Sequence, residues 1–218
     1  METSYGLRGK ITPMEVLMDH KELFHDGPFQ ISIENNILEI GYEDMSLIDQ
    51  ARDKANRYID VLSFDLRRKL TIDLDSSWSK NSNGGRSVCI SLACGAFIVS
   101  PSESKSLAQR SEMVKKCDKD LALTSALHYF NEEVINSDKP LYGIYKAIEA
   151  LTKALGKKHG REKLGRLIGK SERYVDDIMQ TAQLTRHHND QNANLILTEA
   201  ECKERARKLI EAYMNLVN

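Results

Sequence analysis

Apolar and polar residues alternate from Gln30 to Ile33 and again from Ile37 to Ile40, on either side of Glu34, Asn35 and Asn36. Alternation with a period of two, interrupted by turn-forming residues, predicts a β-hairpin. The period then lengthens. From Asp44 to Arg68 the apolar positions are Leu47, Ile48, Ala51, Ala55, Tyr58, Ile59, Leu62 and Leu66, and steps of three and four predict an amphipathic helix. Alternation returns over Leu70 to Asp75, with Ile72 and Leu74 on one face and Thr71, Asp73 and Asp75 on the other. Ser76 to Arg86 is polar and carries the turn signal Asn83-Gly84-Gly85, and Val88 to Val99 supplies one long strand or two short ones. The N-terminal half therefore reads ββαββ, a small antiparallel sheet covered by one helix.

Pro101 and the serines around it mark a boundary, after which the pattern is helical. Ser106 to Tyr129 forms one helix or two. Pro140 opens the next, in the first turn where a proline costs least, and Leu141, Ile144, Tyr145, Ile148, Leu151 and Leu155 form its stripe, ending near Gly156. Leu164, Leu167 and Ile168 form a short helix stopped by Gly169. Ser171 is a good N-cap for a helix running to about Arg186. Leu195 to Val217 gives the last helix, with Leu209, Ile210, Tyr213, Leu216 and Val217 inward. The expected fold is α+β: a sheet-and-helix domain over residues 1–102, then a bundle of four or five helices over 103–218.

Composition narrows the function classes. The 218 residues are 29% charged and 41% hydrophobic with a net charge of −1 and a pI near 6.6, ordinary for a globular protein. Nothing global draws the chain to nucleic acid, so any such site must be a local patch. Cys89, Cys94, Cys117 and Cys202 form no C-x-x-C pair and no histidine stands at zinc-finger spacing from them, which points to free thiols in a reducing cytoplasm, with no metal and no cofactor. Met1 to Tyr5 lacks a signal-peptide pattern, and the longest nearly apolar run, Val88 to Val99, is too short to span a bilayer as a helix.

The densest chemistry lies in Arg186-His187-His188-Asn189-Asp190, where a helix should stop. Imidazole titrates near neutral pH and guanidinium grips phosphate through a planar fork. A histidine can take a 2′-hydroxyl proton while an arginine stabilises the charged phosphorane. A C-terminal cap has the same composition, because Lys, Arg and His complement the dipole there and Asn is a common left-handed cap.

The segment Leu141 to Leu151, the connection Leu164 to Ser171 and the helix ending in Thr185-Arg186-His187 resemble a HEPN-type helical bundle, in particular bacterial proteins that place such a bundle after a small α+β domain. That resemblance implies metal-free RNA cleavage, or RNA or nucleotide binding, in a homodimer paired through the bundle, with toxin, stress or anti-phage roles. On that resemblance the candidate catalytic residues are Arg186, His187 and His188, with Glu149 and Asp190 in support; Asn189 and the positive residues Lys170, Arg173 and Arg166 are the candidates for RNA phosphate. The chain departs from the family's Arg-x(4–6)-His motif: His187 and His188 follow Arg186 directly. The alternatives are a divergent site or a non-catalytic interaction subunit that pairs with a protein from a neighbouring gene. Glu149 lies about 120° from the centre of its helix's apolar stripe and can equally form a surface i,i+4 pair with Lys153.

A third reading is a helix-turn-helix over Leu164 to Gln180. Gly165 would allow close helix contact, Gly169 would make the turn and Val175 would pack the second helix. Glu172, Asp176 and Asp177 on that helix argue against it, since acids repel the phosphate backbone. The basic run from Lys157 to Lys163, with Arg166, Lys170 and Arg173, is the densest positive patch and the place for phosphate contacts. Lys115-Lys116 is a shorter one. Asp73 and Asp75 read as the wet face of a strand rather than a metal pair, Gly84-Gly85-Arg86 lacks what a P-loop needs, His20 and His25 have no partner in view, and Trp78 reads as a lid on the sheet from within a polar loop.

Overall fold

The computed structural model describes residues 4–12, 22–66, 70–80, 86–90, 107–136, 141–156, 158–187 and 195–217. The fold is mixed α+β, an antiparallel sheet with a covering helix followed by helices. The chain divides into two compact units, Met1–Lys115 and Lys116–Asn218.

The first unit holds β1 (Ser4–Thr12), β2 (Glu22–Asp26), β3 (Phe29–Glu34), β4 (Ile37–Tyr42), α1 (Ile48–Leu66), β5 (Thr71–Lys80) and β6 (Arg86–Ile90). These strands form one six-stranded sheet in the order β2-β3-β4-β1-β5-β6, with every neighbouring pair antiparallel. The expected hairpin is β3–β4, closed by Asn35 and Asn36 at φ of 51° and 60°, the pair of left-handed residues a two-residue type I′ turn requires. The Asn36 carbonyl accepts the Ile11 N–H at 2.8 Å, which ties the hairpin tip to β1. Leu7, Ile31, Ile33, Leu38 and Ile40 point to one face and are buried. Against that face α1 lays Ala51, Ala55, Tyr58, Ile59 and Leu62.

The unit departs from the expected ββαββ in three ways. Two further strands, β1 and β2, precede the hairpin. In β1, Gly6 and Gly9 break the apolar alternation; a Cβ on Gly9 would stand 2.8 Å from the Asp73 carbonyl, beside the bulge between Arg8 and Lys10. Second, β5 runs on through Ser76–Lys80, so Trp78 lies in a strand rather than a loop, paired with Gly6. Its indole occupies the space a side chain at Gly6 would take. Third, α1 is buried on all sides over Val61–Asp65. Asp65 receives a 2.9 Å bond from Arg110, a residue of α2 (Leu107–Lys119).

The second unit contains α3 (Leu121–Asn136), α4 (Tyr142–Leu155), α5 (Gly160–Arg166), α6 (Glu172–His187) and α7 (Glu199–Leu216). The helical stretch from Ser106 is thus two helices, broken at Asp120, whose Oδ1 caps α3 by accepting the Leu123 N–H at 2.9 Å. Asp120 Oδ2 takes the Tyr213 hydroxyl at 2.9 Å and Lys116 Nζ donates to the Met214 carbonyl at 3.1 Å, fixing the end of α7. α4 is central: it packs against α3, α5, α6 and α7, burying Ile144, Ala147, Ile148 and Leu151 completely. Among the described residues no helix is long and apolar enough to cross a membrane.

Candidate nucleic-acid interface

Two close approaches and one left-handed turn build the α4–α5–α6 arrangement. A side chain at Gly160 would run into the Thr152 carbonyl of α4. A Cβ at Gly165 would stand 2.8 Å from the Ser171 carbonyl and 3.0 Å from that of Lys170. Gly169 turns the chain at φ +67°, which glycine alone adopts at no steric cost. The Lys170 N–H returns to the Gly165 carbonyl at 3.0 Å and Tyr174 N–H to that of Ser171 at 3.1 Å. Leu164, Val175, Ile178 and Ala182 then pack with no exposed surface. Two helices are joined by a tight turn and packed against a third, α4.

The outer side of α6 is polar. Arg173, Gln180 and Gln183 are exposed, as are Lys170 and Ser171 in the turn. Arg173, Asp176 and Gln180 follow one another at three- and four-residue steps and share a face. The acids of this helix are not all open to the surroundings. Asp176 accepts from Arg161 Nη1 at 2.7 Å, and Asp177 pairs with Arg205 at 3.5 Å. The Arg205 guanidinium lies over the Tyr174 ring at 4.7 Å, so α7 holds α6 by a charge and a ring together.

The basic run is likewise partly engaged. Lys163 donates to the Leu155 carbonyl at 2.9 Å, His159 lies 3.3 Å from Glu162, and Arg166 pairs with Glu162. The side chains of Lys158, Lys170 and Arg173 are exposed and have no ion-pair or hydrogen-bond partner among the described residues. Lys158 belongs to the basic run expected to hold phosphate, whereas Gln180 and Gln183 had no role assigned from the sequence; the helical period of α6 carried the signal for the two glutamines.

Glu149 is half-buried on α4, with Lys153 at 3.2 Å and Lys146 at 3.4 Å, both on its own helix. Burial pushes its carboxyl up, but the Lys153 hydrogen bond and the two ammonium charges outweigh that and hold it below the usual carboxylate range. It lines a groove of about 350 Å³ with Tyr145, Thr152, Lys158, Arg161 and Glu172. Arg186 and His187 occupy the last turn of α6; His188, Asn189 and Asp190 lie outside the described residues, as do His20 and the Asn83-Gly84-Gly85 signal. His25 is exposed on the edge strand β2, and Asp73 is exposed. Among the described residues no group of three or more His, Cys, Asp or Glu could hold a metal ion. Cys117 and Cys202 are buried free thiols, and burial pushes the Cys202 thiol up to about 12, which leaves it protonated and unreactive at neutral pH.

Comparisons of the chain with protein-family models, with curated proteins and with solved structures find no match.

Proposed function

We propose that the chain binds duplex DNA through α5, the turn at Gly169 and α6, with the outer side of α6 entering the major groove. The observation that carries this reading is the turn itself: a Cβ on Gly165 would stand 2.8 Å from the Ser171 carbonyl, Gly169 is at φ +67° and Val175 is fully buried. The two glycines are spent on bringing α5 and α6 together, and the packing leaves Lys170, Arg173, Gln180 and Gln183 exposed along one edge. Lys170 and Arg173 supply phosphate contacts; glutamine is a base-edge reader with a donor and an acceptor on one amide. Asp176 and Asp177 each have an arginine partner, Arg161 and Arg205, which offsets part of their charge. Two chains reading half-sites about 34 Å apart would double the contact, and sedimentation tests for that homodimer.

The experiment is fluorescence anisotropy on a labelled duplex pool across a salt series. Binding that weakens with salt and is lost in Lys170→Glu/Arg173→Glu, with an unchanged melting temperature, is the expected result. Duplex binding that survives both charge reversals sinks the reading. RNA cleavage by Arg186 with His187 or His188 is a separate proposal, tested by incubating the chain with an RNA pool in EDTA beside Arg186→Ala.

A further inference from the structure

We infer that Asp176 sets the specificity of this surface by holding Arg161 away from phosphate, an inference that rests on the DNA reading above. Arg161 and Asp176 are fifteen residues apart, on α5 and α6, and meet at 2.7 Å. Their side chains keep 47% and 28% of their surface, so the pair is open to a ligand. A guanidinium fork accepts a carboxylate or a phosphate with the same geometry. Asp176 therefore occupies the position a DNA phosphate would take on Arg161.

The place of the pair gives it leverage. Asp176 stands between the exposed Arg173 and Gln180 on the row proposed to face DNA. A backbone approaching that row at Asp176 meets a carboxylate and finds Arg161, the guanidinium beside it, engaged. To gain Arg161 it must displace Asp176 and leave a negative charge beside phosphate, which weakens binding that depends on backbone charge alone. A base edge is different: the cytosine N4 amino group donates to a carboxylate. A duplex presenting cytosine there recovers what other sequences lose.

The test uses the full chain, a random-sequence labelled duplex and a salt titration, with Asp176→Asn as the variant. Asp176→Ser stands in if the asparagine melts early. Glu172→Gln is the charge control, since Glu172 is exposed and has no partner among the described residues. Asp176→Asn is expected to bind about three- to tenfold tighter, with a log–log salt slope steeper by about 0.9, one added phosphate contact. In an Arg161→Gln background the same substitution should gain no more than Glu172→Gln gains. A wild type that binds DNA while Asp176→Asn matches Glu172→Gln overturns this inference alone. A gain undiminished without Arg161 also overturns it. No binding by wild type or any variant overturns the DNA reading and this inference with it.

Discussion

Arg110 Nε donates to Asp65 Oδ2 at 2.9 Å, and the two side chains keep only 1% and 2% of their surface. Both charges are out of water, and their attraction offsets part of the cost of burying them. Arg110→Met is expected to cost about 3–5 kcal/mol, because it takes a guanidinium away from a buried carboxylate. Removing both charges, as Arg110→Met with Asp65→Leu, should recover most of that loss. Urea denaturation followed by tryptophan emission measures both; a single variant as stable as the double sinks the account.

Gly160, Gly165 and Gly169 rank by what a methyl group would meet. Gly160→Ala collides with the Thr152 backbone and should be the most damaging; Gly165→Ala meets the Ser171 and Lys170 carbonyls at 2.8 and 3.0 Å and comes next. At Gly169 nothing lies within 4 Å, so only the left-handed backbone is strained, costing about 1 kcal/mol. Thermal melts of the three alanine variants give the order, and a Gly169→Ala worse than Gly160→Ala would contradict it.

α7 begins with a capping box: the Thr198 hydroxyl accepts the Glu201 N–H at 3.2 Å and the Glu201 carboxylate accepts the Thr198 N–H at 2.9 Å. Thr198→Ala should cost about 1 kcal/mol. The Thr198 backbone and hydroxyl bonds hold the Glu201 carboxyl below its usual range. A depressed carboxyl stabilises above its unfolded pKa and loses that contribution as the pH falls through the folded value. Glu201→Gln should therefore narrow its gap from wild type on acidification below about pH 4, read from melting temperatures over a pH series.

Tyr213 behaves in the opposite sense. Burial, and then its bond to the Asp120 carboxylate, push its phenol up to about 12. A raised phenol stabilises fully below the unfolded value near 10 and loses that contribution as the pH climbs toward the folded one. Spectrophotometric titration should show one of the eight tyrosines ionising near 12, and Tyr213→Phe should remove that step. A wild-type titration finished by pH 11 would contradict the buried phenol.

Legibility followed how local each feature is. The β3–β4 hairpin and the stripes of α1 and α4 depend on periodicity, and the residues carry it openly. β1 was hidden because Gly6 and Gly9 are small to let Trp78 and β5 approach, which reads as absence of pattern. The reach of β5 through Ser76 and Trp78 was hidden by serines whose partners lie in β1 and β6. At the candidate interface, Gly165, Gly169 and Val175 were legible as a turn because their spacing is local. The pairing of Asp176 with Arg161 and of Asp177 with Arg205 was not. A sequence displays the sign of a charge, while its partner is chosen by packing between helices.

Trp78, lying across Gly6 in the sheet, is the only tryptophan in the chain, and this makes the protein its own two-channel instrument. Its emission tracks the sheet, whereas helical ellipticity is weighted toward the second unit, which holds five of the seven α-helices among the described residues. Superimposed denaturation curves in the two channels would mean that the halves melt as one cooperative block. Separated curves would give each half its own free energy from a single titration, without a label or a truncation.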